Sequence, residues 1–168
     1  ELNPTSPKSE ALDALLDDIM DDIFENTDEE LDTYGQVKAC YDYLVSNVRY
    51  GSHMANRGAM VDDSVSCRSI YQGYGAVEGF GAVALTAEVG MCNAYASAFI
   101  LMARNIGLNA YLVKGQTRSR GGGYAYHEWA EILVGDEIYV FDPQLDPSLA
   151  HQGLGSYTHF GQTHGQPG

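Results

Sequence analysis

The spacing of apolar residues changes along this chain, and that change constrains the fold more than any other feature. Up to Asn105 the chain contains helix-favouring stretches, and two of them repeat apolar residues at helical spacing. After Gly107, apolar and polar residues alternate as in strands that bury one face. Helices followed by antiparallel strands predict an α+β domain, and 168 residues are enough to bury a sizeable core.

Three helices are predicted. The first runs from about Ser9 to Phe24 and carries aspartates between its apolar positions, and the second ends near Tyr50. The third is Ala-rich and runs from Cys92 to about Asn105. It stops at Gly107, because glycine readily adopts the left-handed conformation that ends many helices.

The second half predicts a small antiparallel sheet. Three strands are expected at Asn109 to Gln116, Tyr124 to Val134 and Glu137 to Asp142, with an edge strand within Tyr157 to Gly161. The pair Gly135-Asp136 suits a two-residue hairpin turn between the second and third strands.

The middle of the chain is less regular. Residues 51–69 are expected to form a long irregular connection, a kind of segment that is often functional. The glycine-rich run from Gly79 to Ala84 can be aligned with a dinucleotide-binding fingerprint, but no strand clearly precedes it and no βαβ pattern surrounds it. We therefore reject a dinucleotide site.

Charge excludes two classes of partner. The net charge of −14 leaves no large basic surface for nucleic acid or anionic lipid, and no apolar run is long enough to span a bilayer. Glu1, rather than Met, begins the sequence, which is consistent with a removed secretory signal and equally with a trimmed fragment. We expect an extracellular or cell-surface location, and the oligomeric state is open.

The cysteines and histidines predict no metal site. Three cysteines are too few for a disulfide scaffold and lack the paired spacing of a zinc ribbon. If Cys40 and Cys67 were bonded, Cys92 would be the free thiol, but the sequence leaves this pairing open. The tail histidines match no compact ligand motif, so we expect neither metal nor cofactor; they are His151, His159 and His164.

Cys92 is a candidate nucleophile. It follows a glycine and opens the predicted Ala-rich helix. Unpaired N–H groups and the positive end of the helix dipole stabilise a thiolate, which lowers the pKa of the thiol. The alternative is that Cys92 packs in the core as a small apolar residue.

The hairpin turn predicts where a base would lie. If Gly135-Asp136 forms a two-residue loop, Trp129 lies opposite Asp142, and His127 lies on the same face at the diagonal position, typically ~7 to 8 Å away. A shift of one residue would separate them. With Cys92, these residues suit thiol acyl chemistry, His127 taking the proton and Asp142 orienting the imidazole. Alternatively, His127 is a satisfied sheet residue and Asp142 merely caps a turn.

Several runs of sequence match one family. They are Val37 to Tyr50, Cys92-Asn93-Ala94-Tyr95-Ala96, His127-Glu128-Trp129 and Tyr139 to Pro143. From about Gln36 to Asp142 the chain resembles the transglutaminase-like superfamily, a branch of the papain-like cysteine enzymes. The resemblance implies a papain-like α+β core, with the nucleophile at a helix N-terminus packed on an antiparallel sheet. It implies that Cys92, His127 and Asp142 are nucleophile, base and orienting acid.

The resemblance assigns less outside the triad. Tyr74 to Gly90 is longer than the family's usual approach to the cysteine, and no oxyanion-hole side chain is evident. The backbone N–H of Cys92 is the expected donor, with Tyr71 or Tyr74 as the second candidate. Trp129 either shields the triad and contacts substrate or is a core aromatic.

These features predict an enzyme. We expect residues 1–30 to form an acidic helical extension and residues 31–168 a transglutaminase-like catalytic domain. The predicted function is acyl chemistry on peptide or protein carboxamides through a thioester, with hydrolysis favoured over amine transfer. The alternatives are a crosslinking protein-glutamine transamidase and an inactive interaction module, since the family contains both.

Overall fold

The computed structural model describes residues 7–26, 30–51, 76–118, 121–145 and 160–163. Four helices lie in these ranges: α1 Pro7–Glu25, α2 Thr33–Asn47, α3 Ala76–Ala87 and α4 Cys92–Asn105. Six strands accompany them: β1 Arg49–Tyr50, β2 Val89–Gly90, β3 Asn109–Arg118, β4 Tyr124–Val134, β5 Glu137–Phe141 and β6 Phe160–Thr163.

The sheet has the predicted antiparallel arrangement. Strands β3, β4, β5 and β6 are neighbours in that order, and each pairs antiparallel with the next. The edge strand lies at Phe160–Thr163, overlapping the end of the predicted range. The α+β prediction is therefore confirmed.

The first two helices pack against the core through most of the apolar positions that predicted them. Helix α1 contributes Leu12, Leu16 and Met20 to the same core as α2 and α4. The carboxylate of Asp32 accepts a hydrogen bond of 2.8 Å from the Gly35 N–H and so caps α2. Within the described ranges, no helix is both long and apolar enough to cross a membrane.

Helix α3 was not predicted from the sequence. Glycine is a poor helix former, and four glycines in positions 73–81 obscured the pattern. The structure explains Gly81, because a Cβ there would lie 2.4 Å from Leu101 Cδ1 on α4. Close packing of α3 against α4 thus requires glycine at position 81. The same glycine makes the sequence of α3 less typical of a helix.

Helix α4 is the centre of the core. Each residue from Ala94 to Ala103 is buried. The helix ends as predicted, with Gly107 in the left-handed region at a φ of 89°. The Tyr95 hydroxyl donates to the Val48 carbonyl just beyond α2. An aromatic cluster joins α2 and α4 to the sheet, formed by Tyr41, Phe99, Phe141 and Phe160.

A short parallel pair fixes the approach to Cys92. Strand β1 pairs with β2, and the Gly51 N–H donates to the Gly90 carbonyl at 3.0 Å. Gly90 lies directly against α4, since a Cβ at that position would lie 2.4 Å from Ala94 Cβ. This contact sets the position of β2 against the first turn of the helix.

Gly90→Ala is expected to lower the free energy of unfolding by roughly 1–3 kcal/mol, the usual cost of overpacking. The added methyl group meets a side chain on a rigid helix, so either β2 or α4 must move. Urea unfolding measures the change.

Gly121→Ala is the matched control. A Cβ at Gly121 meets no atom within 4 Å, and its effect on the unfolding free energy should stay within about 0.5 kcal/mol. Equal stability of the two variants would contradict the close contact between Gly90 and Ala94.

Candidate active site

Cys92 is the first residue of α4 and is half-buried. The preceding residue, Met91, makes no side-chain capping bond, while its carbonyl accepts from the N–H groups of Ala94 and Tyr95 at 3.0 and 3.1 Å. The N–H of Asn93 contacts the thiol. The predicted position of Cys92 at a helix N-terminus is therefore confirmed.

The hairpin brings His127 and Asp142 together. Val134 pairs with Glu137, and the ladder continues to Ala130 and Phe141, which places Trp129 opposite Asp142. His127 Nε2 lies 2.5 Å from Asp142 Oδ2, and both side chains are buried. The predicted register is confirmed.

Asp142 makes contacts through every one of its acceptor groups. Its Oδ1 accepts from the N–H groups of Gln144 and Leu145, each at 3.2 Å, and its backbone carbonyl accepts from the Tyr41 hydroxyl at 2.9 Å. The residue thus caps a turn and also orients His127. The sequence left turn capping and contact with His127 as alternatives for Asp142. In the structure Oδ1 makes the turn contacts and Oδ2 contacts His127.

Cys92 forms a hydrogen bond with the side chain of His127. Because Nε2 of the imidazole faces Asp142, Nδ1 is the ring nitrogen left for sulfur. The N–H of Glu128 also donates to sulfur. The three side chains therefore form a continuous chain from thiol to carboxylate.

The electrostatics favour a negatively charged Cys92 thiolate beside a positively charged His127 imidazolium. Burial raises the pKa of the Cys92 thiol, but the His127 hydrogen bond and charge, with two backbone N–H donors, outweigh burial and lower it overall. Burial lowers the pKa of His127, whereas the bonds to Asp142 and Cys92 raise it to about 10. Both shifts favour a thiolate–imidazolium pair over the neutral pair.

Trp129 flanks the imidazole. Its ring is half-buried, lies 6.3 Å from the His127 ring at 28°, and donates from Nε1 to Glu131 at 3.2 Å. Gly115 pairs with His127 on the neighbouring strand, and a Cβ there would lie 2.4 Å from Trp129 Cη2. Gly115 therefore leaves the space that the indole occupies, and a substrate role for Trp129 stays a prediction.

Tyr126 and Glu128 lie beside the thiol, and neither was predicted from the sequence as a site residue. The Tyr126 hydroxyl donates to Glu128 Oε1 at 2.8 Å, and Lys114 Nζ lies 3.6 Å from the same oxygen. The hydrogen bond to Glu128 is the largest cause that raises the pKa of Tyr126, and desolvation and the charges of Glu128 and Cys92 add to it. Their spacing of two on a strand was an available signal, because such residues share a face.

Most of the other residues singled out from the sequence lie outside the described residues, and Cys40 is the exception. Those outside are Tyr71, Tyr74, Cys67 and the tail histidines. Cys40 is a free, buried thiol whose sulfur lies 3.8 Å from Met20 Sδ, and burial raises its pKa to about 12. In the described part of the chain, no three potential metal ligands cluster together.

A protein-family model matches most of the chain. The model of the "Transglutaminase-like superfamily" matches residues 18–143, which include Cys92, His127 and Asp142. A search of curated protein sequences finds no significant match.

Solved structures give matches to the fold. A TGase crystal structure matches with a TM-score of 0.51 and 19% identity, over 86% of this chain and 34% of that one. A candidate cysteine protease from Cytophaga hutchinsonii matches with a TM-score of 0.48 and 18% identity, over 76% of this chain and 37% of that one. The chain thus spans about a third of each structure, and the TGase likeness shows a shared fold.

His127→Ala is expected to move the pH midpoint of Cys92 alkylation upward and to slow alkylation at neutral pH by roughly tenfold or more, tenfold being the effect of one pKa unit. A protonated partner stabilises the thiolate, so its removal raises the thiol pKa. The rate of iodoacetamide labelling between acid and alkaline pH, with the labelled peptide identified by mass spectrometry, measures the shift.

Cys40 is an internal control, because it is buried with a pKa of about 12 and should react only in unfolded protein. Superimposable pH profiles for the wild type and His127→Ala would contradict the coupling of Cys92 to His127.

Proposed function

Because the chain belongs to the transglutaminase-like superfamily, we propose that it is a cysteine enzyme that transfers acyl groups from peptide or protein carboxamides through a thioester on Cys92. One observation carries the proposal: His127 bonds to the thiol of Cys92 and, at 2.5 Å, to the carboxylate of Asp142. A thiol, a base and an orienting acid in one chain form the arrangement that activates a nucleophile.

The first step forms the acyl-enzyme. The Cys92 thiolate attacks the carboxamide carbon, forming a C–S bond as the carbonyl π electrons move to oxygen. The resulting oxyanion lies at the N-terminus of α4, where the backbone N–H of Cys92 is the proposed donor. The carbonyl re-forms as the C–N bond breaks, and the imidazolium of His127 gives its proton to the leaving nitrogen.

The second step releases the acyl group. Neutral His127 removes a proton from water or from an amine, which attacks the thioester carbon. Collapse of this second tetrahedral species breaks the C–S bond and returns the thiolate, while His127 is again protonated. Asp142 is fixed by two backbone N–H groups, so the imidazole keeps its orientation through both steps.

We propose hydrolysis ahead of amine transfer. Water needs no binding site of its own, whereas transfer requires an acceptor amine held against the thioester. Crosslinking of glutamine side chains to amines is the second outcome that the same thioester permits, and the two differ only in what attacks it.

Incubation of glutamine-containing peptides with the protein, with and without methylamine, separates the reactions by mass spectrometry. We expect hydrolysed product under both conditions, since water attacks the thioester. If no hydrolysed product formed without methylamine, and an N-methylamide formed when it was added, the result would instead assign transfer.

Cys92→Ala should reduce either product by at least ~10³-fold, because the bond-forming atom is gone. Cys40→Ala, which removes a buried thiol remote from His127, should retain the reaction. No product from any peptide, with Cys92 unreactive toward electrophiles, would contradict the proposal and favour an interaction module.

A further inference from the structure

We propose that Tyr126 determines substrate specificity by contacting an apolar or aromatic side chain next to the reactive carboxamide of the peptide. The inference rests on the proposed function and extends it from the reaction to the class of substrate.

Tyr126 combines exposure with a fixed position. Its exposed fraction is 63%, yet its hydroxyl is held by the carboxylate of Glu128 at 2.8 Å. Glu128 is buried, and Lys114 lies 3.6 Å from the same carboxylate oxygen. An exposed tyrosine that is anchored at its tip has lost much of its rotamer freedom before any ligand binds.

The anchor satisfies the buried carboxylate of Glu128. Burying a carboxylate requires partners for its charge, and exposed tyrosines need no such partner to remain in water. Glu128 is thus paired with the hydroxyl of a side chain whose ring faces solvent. An aromatic ring ordered in advance gains more from ligand contact, because binding does not have to order it.

The anchored ring stands beside the nucleophile. Tyr126 and Glu128 share the face of β4 that carries the core residues Ala130 and Ile132. The backbone N–H of Glu128 donates to the sulfur of Cys92, and the charge of Cys92 contributes to the raised pKa of Tyr126. A carboxamide placed at sulfur therefore has its neighbouring residues within reach of the Tyr126 ring. The contact is continuous with the reacting centre rather than remote from it.

A second apolar side chain flanks the thiol on the helix side. Met91 immediately precedes Cys92 and has an exposed fraction of 43%. Methionine adapts its shape to varied apolar partners. Tyr126 and Met91 thus provide a rigid and an adaptable apolar contact next to Cys92, which fits an apolar neighbour of the reactive residue better than a charged one.

Two peptide probes test the inference. They carry the same electrophilic glutamine analogue and differ only in the adjacent residue, which is leucine or serine. Wild-type protein should label Cys92 roughly tenfold faster with the leucine probe, the preference typical of an apolar pocket. The difference should lie in probe affinity rather than in the maximal labelling rate.

Variants on strand β4 assign this preference to the anchored ring. Tyr126→Ala should abolish it. Tyr126→Phe, which keeps the ring and removes the anchor, should retain an intermediate preference. Tyr124→Ala removes another exposed tyrosine two residues away, and the preference should persist.

The outcomes separate the two proposals. Equal labelling of wild type by both probes, or an undiminished preference in Tyr126→Ala, would overturn the role of Tyr126 while leaving the acyl chemistry intact. If neither the probes nor iodoacetamide label Cys92, the proposed function itself fails, and the specificity inference fails with it.

Discussion

The contact between His127 Nε2 and Asp142 Oδ2 is the interaction on which the site depends. Both residues are buried, and charges removed from water cost several kcal/mol each unless their polar atoms find partners. Here the second carboxylate oxygen accepts two backbone N–H groups, and the imidazole also bonds to Cys92. The pair is therefore satisfied only when strand, turn and helix are all in place.

That requirement links the site to the fold. Asp142 directly follows β5, and its carbonyl accepts a hydrogen bond from the buried hydroxyl of Tyr41 on α2. Cys92 is held from the other side, because α4 is buried almost throughout and its start packs on β2 through Gly90. The core that stabilises the domain thus also fixes the distance between the Cys92 thiol and the His127 imidazole.

Part of this arrangement could be predicted from the sequence. Gly135 has a φ of 61°, which favours glycine, so Gly135-Asp136 set the β4–β5 register and with it the meeting of His127 and Asp142. Gly107 marked the end of α4 in the same way. Both are local signals, where one residue determines the conformation.

The contacts that were missed depend on distant parts of the chain. Lys114 pairs with Glu128 and Gly115 with His127 through the β3–β4 register, and the longer loop between these strands does not fix that register from sequence. Helix α3 was missed because Gly81 serves packing against Leu101 rather than helix propensity. The meeting of His127 and Asp142 was therefore predictable from local turn chemistry, whereas the contacts made by β3 and α3 were not.

The protonation state of His127 reports directly on whether Cys92 and His127 form a thiolate–imidazolium pair. Nitrogen-15 NMR of the imidazole, assigned by comparison with His127→Gln, should show both ring nitrogens protonated at neutral pH. The ring should lose its proton with a pKa of about 10. In Cys92→Ala the pKa of His127 should fall, because the thiolate that favours the charged ring is absent. Titration of wild-type His127 near its ordinary value of 6.5, unchanged by Cys92→Ala, would contradict the thiolate–imidazolium pair.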